Sequence, residues 1–282
     1  MKRIFILIAI AFFLLFPGTS HAQSSSSPGQ SSEAQIILAD KLSESEGIAL
    51  CPDGKLFTID GVKGDIVEVV DDTTLKTIAG GFDGAAGLAC GHDGTLYAAG
   101  YDSGSVLMIS ADGKTKKVIA SGFKTPNGII AAADGTVYMS DSTSGMVYGI
   151  SPDGTVEKLL SGINFANGLS LSPDGKLLYI AQTTPHKVIV TLLSGKNRGK
   201  KKTYASKLQM VDGITFDDDG NLYACLFSSG EIAKVDREGT ITIIASGLYT
   251  PATPVVKNGT LYITSVLGKG LYKIPLEITT EN

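Results

Sequence analysis

The chain has 282 residues, with 34 Gly, three Cys, no Trp and a formal net charge of −4. An apolar fraction of 43% excludes a disordered chain. Gly makes up about 12%, against roughly 7% in ordinary proteins, but has no triplet period, which excludes collagen. The acidic balance argues against a nucleic-acid partner, because that affinity comes largely from Lys and Arg neutralising phosphates.

The first 22 residues have the pattern of a secretory signal peptide. Lys2 and Arg3 precede an unbroken apolar run, Ile4–Phe16, and a small-x-small cleavage site ends at Ala22. The run is shorter than the roughly 20 residues that span a bilayer. We therefore expect an exported protein, periplasmic or extracellular, with no stable membrane anchor after cleavage. Residues 23–33 are Ser-rich and read as a flexible tether.

One unit of about 40 residues recurs six times. Each copy has Gly-x-Leu/Val-Tyr/Phe, or that motif with one added Leu, after an Asp or Asn: Asp53, Asp93, Asp134, Asp174, Asp219 and Asn258. Asp-Gly and Asn-Gly between alternating apolar runs indicate β-hairpins, and no window has a helical period. Each unit reads as four short strands, in the third copy Gly128–Ala132, Thr136–Ser140, Met146–Ile150 and Val156–Leu160. The sequence predicts an all-β, six-bladed propeller of four-stranded blades, forming one domain over residues 34–282.

Ring closure is also predicted. The first five repeats end in a similar strand that the sixth lacks, and an extra copy, Ile37–Leu42, precedes the first repeat. This copy is expected to supply the outer strand of the last blade. The fourth repeat has five extra residues within the basic run Gly195–Lys202. A solvated loop is the favoured reading of that run, and a contact with an anion or a surface is the alternative.

An odd number of cysteines leaves at least one thiol unpaired. Cys51 and Cys90 lie near the same point of neighbouring repeats, so a disulfide between them is possible. The favoured expectation is nevertheless three small buried hydrophobes.

One position at the start of each innermost strand is equivalent in all six repeats. Its occupants are Glu46, Ala86, Asn127, Asn167, Asp212 and Ala252. Innermost strands line the channel of a propeller, so two carboxylates and two amides would converge on its axis. Two unpaired carboxylates repel, and a hard divalent cation removes that conflict. Ca²⁺ is favoured, with Mg²⁺, Mn²⁺ or Zn²⁺ possible. The alternative is that Asn-Gly and Asp-Gly simply turn the chain.

A second group of polar residues is expected on the same face. Asp60, Asp141 and Gln182 end the second strand of their blades, and His186 lies in a connection. They are candidates for supporting the metal ligands or contacting substrate. The alternatives are that Asp ends a strand and opens a turn, and that a loop His is solvated. An apolar mouth is expected from Tyr101, Phe165, Met210, Phe227 and Tyr249, with packing between blades as its alternative.

The blade sequences resemble a known family. SEGIALCPDGKLFTID, TPNGIIAAADGTVYMSD, FANGLSLSPDGKLLYIAQ and MVDGITFDDDGNLYA are similar to blades of the gluconolactonase, regucalcin and senescence-marker-protein family. The resemblance implies a six-bladed propeller with a divalent metal on its axis and lactone hydrolysis. It implies Glu46, Asn167 and Asp212 as metal ligands, Asn127 as a ligand of the metal or its water, and Asp212 as general base. The chain departs from the family at Thr125, where regucalcin-type members have a substrate-binding Arg, and at Gly128, where they have Asp.

The leading expectation is thus an exported, metal-dependent hydrolase of a small-molecule lactone or related ester. The apolar mouth would favour a more hydrophobic lactone than a sugar acid. The alternative is a non-catalytic, metal-stabilised propeller that binds a ligand or a protein partner. A third possibility is a strictosidine-synthase-like enzyme, which shares the fold but works without this metal set. The oligomeric state is not predicted.

Overall fold

A computed structural model describes residues 33–82 and 84–276 of the chain. These residues form six four-stranded antiparallel sheets, the blades of a propeller, as the repeats predict. No helix in this part of the chain is long and apolar enough to cross a membrane. The predicted signal peptide and residues 23–32 of the predicted tether lie outside the described residues.

Blades 1 to 5 are each four consecutive strands, and blade 6 consists of β22, β23, β24 and β1. The strands in chain order are β1 Gln35–Ile37, β2 Ile48–Leu50, β3 Leu56–Asp60, β4 Asp65–Val69, β5 Leu75–Gly80, β6 Ala85–Cys90, β7 Leu96–Gly100, β8 Ser105–Ile109, β9 Lys116–Ser121, β10 Pro126–Ala131, β11 Val137–Asp141, β12 Met146–Ile150, β13 Val156–Leu160, β14 Ala166–Leu171, β15 Leu177–Gln182, β16 Lys187–Leu192, β17 Lys202–Ser206, β18 Val211–Phe216, β19 Leu222–Leu226, β20 Glu231–Val235, β21 Ile241–Ala245, β22 Pro251–Lys257, β23 Thr260–Ser265 and β24 Leu271–Pro275.

The N-terminal segment closes the ring. β1 pairs antiparallel with β24, with Ile37 opposite Leu271. The predicted bounds were wrong, because the strand ends at Ile37 instead of beginning there. Leu38 has a left-handed φ of 59°, and its carbonyl accepts hydrogen bonds from Lys41 and Leu42, so the chain turns at once. Leu42 is fully buried by this turn.

The Asp-Gly and Asn-Gly pairs form the predicted hairpin turns. The glycine has a left-handed φ in all six, for example 84° at Gly135. Asp134 stabilises that turn by accepting a hydrogen bond from the Thr136 amide at 2.9 Å. Glycine is required here because other residues are strained at such φ values.

The hydrophobic core consists of six clusters, one between each pair of adjacent blades. Successive residues of a strand alternate between neighbouring clusters. In β15, Ile180 packs toward blade 3 and Ala181 toward blade 5. Both faces of each central strand are therefore covered, which explains why these strands are apolar throughout.

Cys51 and Cys90 form a disulfide, with their Cα atoms 5.2 Å apart. The favoured expectation of three reduced cysteines was therefore wrong for this pair. It was correct for Cys225, which is free and buried. Equivalent ends of neighbouring innermost strands lie within the range that a disulfide can bridge, so blade 1 is covalently joined to blade 2.

Candidate functional site

Three of the four candidate metal ligands lie where the innermost strands are irregular, and the fourth, Glu46, precedes β2. In blades 2 to 6 the pairing of the innermost strand shifts register across the ligand-equivalent position, for example between Pro126 and Ile129 around Asn127. Such a bulge turns a side chain out of the regular alternation of a strand. The bulges occur at one level of every one of these blades, so the re-aimed side chains share one end of the channel.

The glycine after each candidate position lets adjacent blades approach closely. A Cβ at residue 128 would lie 2.4 Å from the carbonyl oxygen of Asn167, and one at residue 168 would lie 2.7 Å from that of Asp212. Gly47, Gly87 and Gly213 are packed in the same way. None of these five glycines has a left-handed φ. The glycines thus permit contact between blades and do not form turns.

Buried hydroxyl groups link the ring positions from blade to blade. Ser140 accepts a hydrogen bond from the Gly128 amide at 2.9 Å and donates one to the Asn167 carbonyl at 2.7 Å. Thr264 donates to the Glu46 carbonyl at 2.6 Å and so joins the last blade to the first. Blade 5 has Cys225 at the equivalent position, where burial, and secondarily the Asp212 charge, raise the pKa of its thiol. Sequence analysis missed these links, although all three residues are six positions after a hairpin Asp or Asn.

All four candidate ligands are more than nine-tenths buried: Glu46, Asn127, Asn167 and Asp212. Thr183 fixes one of them, because it accepts a hydrogen bond from the Asn167 amide nitrogen at 3.2 Å and donates to the Val211 carbonyl at 2.9 Å. The side chains of Glu46 and Asn127 make no hydrogen bond to another residue in the described ranges.

The two carboxylates are electrostatically coupled. Burial, and next the charge of Asp212, raise the pKa of Glu46 well above its usual value. Burial raises the pKa of Asp212 to about 7, and a hydrogen bond from Asn167 partly offsets the rise. Ionising both groups without a counter-charge is therefore unfavourable.

The donor set suits a hard cation. Two carboxylates and two amides offer only oxygen ligands, as Ca²⁺ and Mg²⁺ prefer. Residues 33–82 and 84–276 contain no cluster of three or more His, Cys, Asp or Glu that could hold a metal. The candidate site has two residues of those types, so it depends on its two Asn. Two buried carboxylates with no cationic partner among the described residues are a further reason why these residues fit a divalent cation.

Asp60 and Asp141 end their strands, and their carboxylates accept hydrogen bonds from nearby backbone amides. Asp60 accepts hydrogen bonds from the Val62 and Lys63 amides and forms an ion pair with Lys63 at 2.9 Å. Asp141 accepts hydrogen bonds from the Lys124 amide at 2.8 Å and the Ser144 amide at 3.1 Å. These contacts are those of the turn-opening alternative, and a role toward substrate stays a prediction.

His186 has a structural connection to the ring. Its Nδ1 accepts a hydrogen bond from the Met210 amide at 3.0 Å, two residues before Asp212. A neutral imidazole that accepts at Nδ1 carries its proton on Nε2. Gln182 lies elsewhere, in the cleft between blades 3 and 4.

The rim of the channel is conformationally strained. Left-handed φ values between 44° and 53° occur two residues before the ring position in four blades, at Glu44, Phe165, Met210 and Thr250. Non-glycine residues in this region are typical of functional sites. Of the predicted mouth, Tyr249 is 58% exposed, and Phe165, Met210 and Phe227 are half-buried. Tyr101 is buried instead, and burial, then the Glu46 charge, raise its pKa to about 12.

Six four-stranded blades, with buried oxygen donors at one end of the axis, define a six-bladed propeller with a polar axial site. The chain belongs to the SMP-30/gluconolactonase/LRE-like family, whose model matches residues 126–267.

The fold is similar to that of solved members. A gluconolactonase from Xanthomonas campestris superposes with a TM-score of 0.74 at 21% identity, over 86% of this chain and 89% of that one. Regucalcin from Agrobacterium tumefaciens, a calcium-binding protein, superposes with a TM-score of 0.70 at 15% identity, over 87% and 95%. A curated relative, strictosidine synthase-like protein 10 of Arabidopsis thaliana, is 34% identical over 83 residues. That match covers 29% of this chain and only 22% of the length of the relative.

Proposed function

We propose that the protein is an exported, metal-dependent hydrolase of lactones or related esters. The observation that carries the proposal is the ring of four buried oxygen donors, in which burial and the charge of Asp212 make Glu46 costly to ionise. Glu46, Asn127, Asn167 and Asp212 would hold the cation, with Ca²⁺ favoured. Family membership and the gluconolactonase neighbour support hydrolysis of a cyclic ester.

A divalent cation at this place supplies Lewis-acid polarisation of an ester carbonyl and acidifies a nearby water. Asp212, a buried carboxylate of the ring, takes a proton from water as the water oxygen adds to the ester carbonyl carbon. It returns this proton to the leaving alkoxide as the ester C–O bond breaks. Asn167 holds Asp212 in position through its amide, and Thr183 holds Asn167. The Tyr249 ring, exposed at the rim, offers an apolar surface to the ring or chain of the substrate.

Export is supported by the N-terminal pattern and by the Cys51–Cys90 disulfide, since disulfides persist mainly in oxidising compartments. Mass spectrometry of protein secreted by an expression host would give the mature N-terminus, which we expect at Gln23. An N-terminus still at Met1, with the protein held in the cytoplasm, would contradict this part of the proposal.

The test is a hydrolysis screen of lactones and aryl esters with the chain starting at residue 23. EDTA should abolish turnover, and add-back of Ca²⁺, Mg²⁺, Mn²⁺ or Zn²⁺ should restore it for the resident metal. Asp212→Ala should lower kcat by about a hundredfold or more, as loss of a general base does. Asp218→Ala, an exposed carboxylate of a hairpin, is the matched control and should retain activity. Metal binding without turnover of any substrate would instead favour the non-catalytic propeller.

A further inference from the structure

A basic segment stands out in this acidic protein. Residues 175–211 contain eight Lys and Arg and no Asp or Glu. Lys176 pairs with Asp174, and Arg198 with Glu157. The remaining six lysines form no ion pair with any residue in the described part of the chain: Lys187, Lys196, Lys200, Lys201, Lys202 and Lys207. Blade 4 thus concentrates positive charge that its own surroundings do not neutralise.

Part of this charge lines a groove between blades 3 and 4. The groove has a volume of about 300 Å³, at the lower end of small-molecule pockets. Its polar lining includes Asn164, Gln182, Lys187, Lys201 and Lys202, and no acidic residue. It therefore combines a ligand-sized space with a single sign of charge.

Strand register places these groups on one face of blade 4. Gln182 pairs directly with Lys187, and Ile189 pairs with Thr203. Directly opposed residues and residues two apart share a face of a sheet. Lys201 directly precedes β17 and lines the same groove. The same face supplies Ile180 and Ile189 to the core between the blades. The groove thus opens where that apolar core ends.

The lining of the groove includes an amide side chain, Gln182, that makes no hydrogen bond within the described residues. Gln182 is 6% exposed, and its side chain makes no hydrogen bond within residues 33–82 and 84–276. No side-chain nitrogen or oxygen in those ranges is both fully buried and without a partner, so the Gln182 amide reaches the groove that it lines. A ligand in the groove can therefore take up the hydrogen bonds that this amide does not make within the protein. Lys201 is held at the wall by hydrogen bonds from its Nζ to the carbonyls of Ser161, at 2.6 Å, and Gly162, at 3.4 Å. An ammonium group fixed on two carbonyls and an unsatisfied amide make a preformed site.

We propose that this groove binds a small organic or inorganic oxyanion, a carboxylate or a phosphate. Lys187 and Lys201 pair with its charge, and the Gln182 amide donates a hydrogen bond to one of its oxygens. The site is separate from the axial donors and does not depend on hydrolysis. Anion binding is thus a function for the basic run Gly195–Lys202, of which Lys201 and Lys202 line the groove.

The test is isothermal titration of the chain starting at residue 23 with malonate and, separately, inorganic phosphate. The protein is first stripped of metal with EDTA and then dialysed into EDTA-free buffer, so that no anion binds through an axial cation and no chelator carboxylate competes for the groove. Chloride keeps the ionic strength constant. We expect one anion to bind with 1:1 stoichiometry, and the two titrations distinguish a carboxylate site from a phosphate site. Gln182→Met and Lys187→Met should each weaken binding at least tenfold.

Lys196→Met is the matched control, because it removes the same charge from the basic run outside the groove. Its affinity should change less than twofold. Absence of binding by both anions overturns the proposal, as does an equal loss in Lys196→Met, which would indicate diffuse attraction. Heparin is titrated in a third experiment, and binding of heparin without binding of either small anion would also overturn the proposal, in favour of a polyanion surface. The melting temperature of each variant shows whether it is folded. If Gln182→Met does not fold, the affinity of Lys187→Met, which changes a half-buried residue of the groove, tests the proposal instead.

Discussion

At the scale of single residues, the glycine that follows each axial donor has no room for a side chain, because the backbone of the next blade lies against it. We expect Gly128→Ala to lower the free energy of unfolding by about 3 kcal/mol, because its Cβ would meet a backbone carbonyl that cannot move aside. Gly149→Ala in the same blade is the control, since its Cβ would approach nothing nearer than 3.4 Å, at the Tyr138 ring. Denaturant unfolding gives both values. Equal losses would contradict the close approach of blades 3 and 4.

The raised pKa values of the two buried carboxylates predict how the stability of the metal-free protein depends on pH. The folded-state pKa of Asp212 is raised from 3.8 to about 7, and that of Glu46 is also raised. The folded state therefore holds protons that the unfolded state releases, so stability is lost as pH rises from about 4 to about 7. Melting temperatures in EDTA should fall across this range.

Asp212→Asn should flatten this slope, because an amide at residue 212 neither titrates nor repels Glu46. Asp218→Asn, which changes an exposed carboxylate, should leave the slope unchanged. A melting temperature that rises between pH 4 and pH 7 in the unmodified protein would contradict the coupling of the pair.

The candidate ligands could be found in the sequence by counting, because each lies a fixed number of residues from a strong hairpin signal. The contacts around these ligands could not be predicted in this way. Asn-Gly and Asp-Gly read locally as turns, yet Gly128 and Gly168 are extended and serve contact with the next blade. That contact joins residues about 40 positions apart, so it depends on how blades pack. The sequence likewise does not show that the Gln182 amide makes no hydrogen bond within the described residues, because that too depends on how blades pack.

At the scale of elements, ring closure depends on a three-residue strand and the turn after it. A chain starting at residue 43 loses β1 and the buried side chains of Ile37, Leu38 and Leu42. At roughly 2 kcal/mol for each apolar side chain, we expect a loss of about 6 kcal/mol. The exposed edge of β24 should also promote aggregation.

A chain starting at residue 33 retains every described strand and is the control. Unfolding curves and size-exclusion chromatography compare the two chains. If the shorter chain unfolds at the same denaturant concentration and remains monodisperse, β1 does not hold the ring closed.

Strand positions were predicted well where alternation alone sets them. In blade 3, β12 and β13 have the expected bounds, Met146–Ile150 and Val156–Leu160. The innermost strand was expected from Gly128 but begins at Pro126, because the bulge carries the strand through the glycine. Similarly, β1 was placed too late, since its apolar residues continue into a turn that packs against blade 1.

At the scale of the whole molecule, one covalent link joins two blades. The Cys51–Cys90 disulfide encloses a sequence separation of 39, for which loss of unfolded-state entropy predicts about 4 kcal/mol of stabilisation. Cys51→Ala combined with Cys90→Ala should lose most of this. Cys225→Ser is the control, because Ser140 occupies the equivalent place in blade 3. An intact mass with no loss of two hydrogens would show that the pair is reduced.

The ring also makes cation binding a property of the whole fold. The four candidate donors come from blades 1, 3, 4 and 5, between residues 46 and 212, so the unfolded chain cannot gather them. A ligand that binds only the folded state stabilises it by about 2.7 kcal/mol at one hundred times its Kd. Ca²⁺ should therefore raise the melting temperature, EDTA should reverse the rise, and Asp212→Ala should abolish it while Asp218→Ala does not. Since metal binding opposes protonation of Glu46 and Asp212, the rise should be larger at pH 8 than at pH 5. A melting temperature unaffected by any divalent cation would mean that these carboxylates are not ligands.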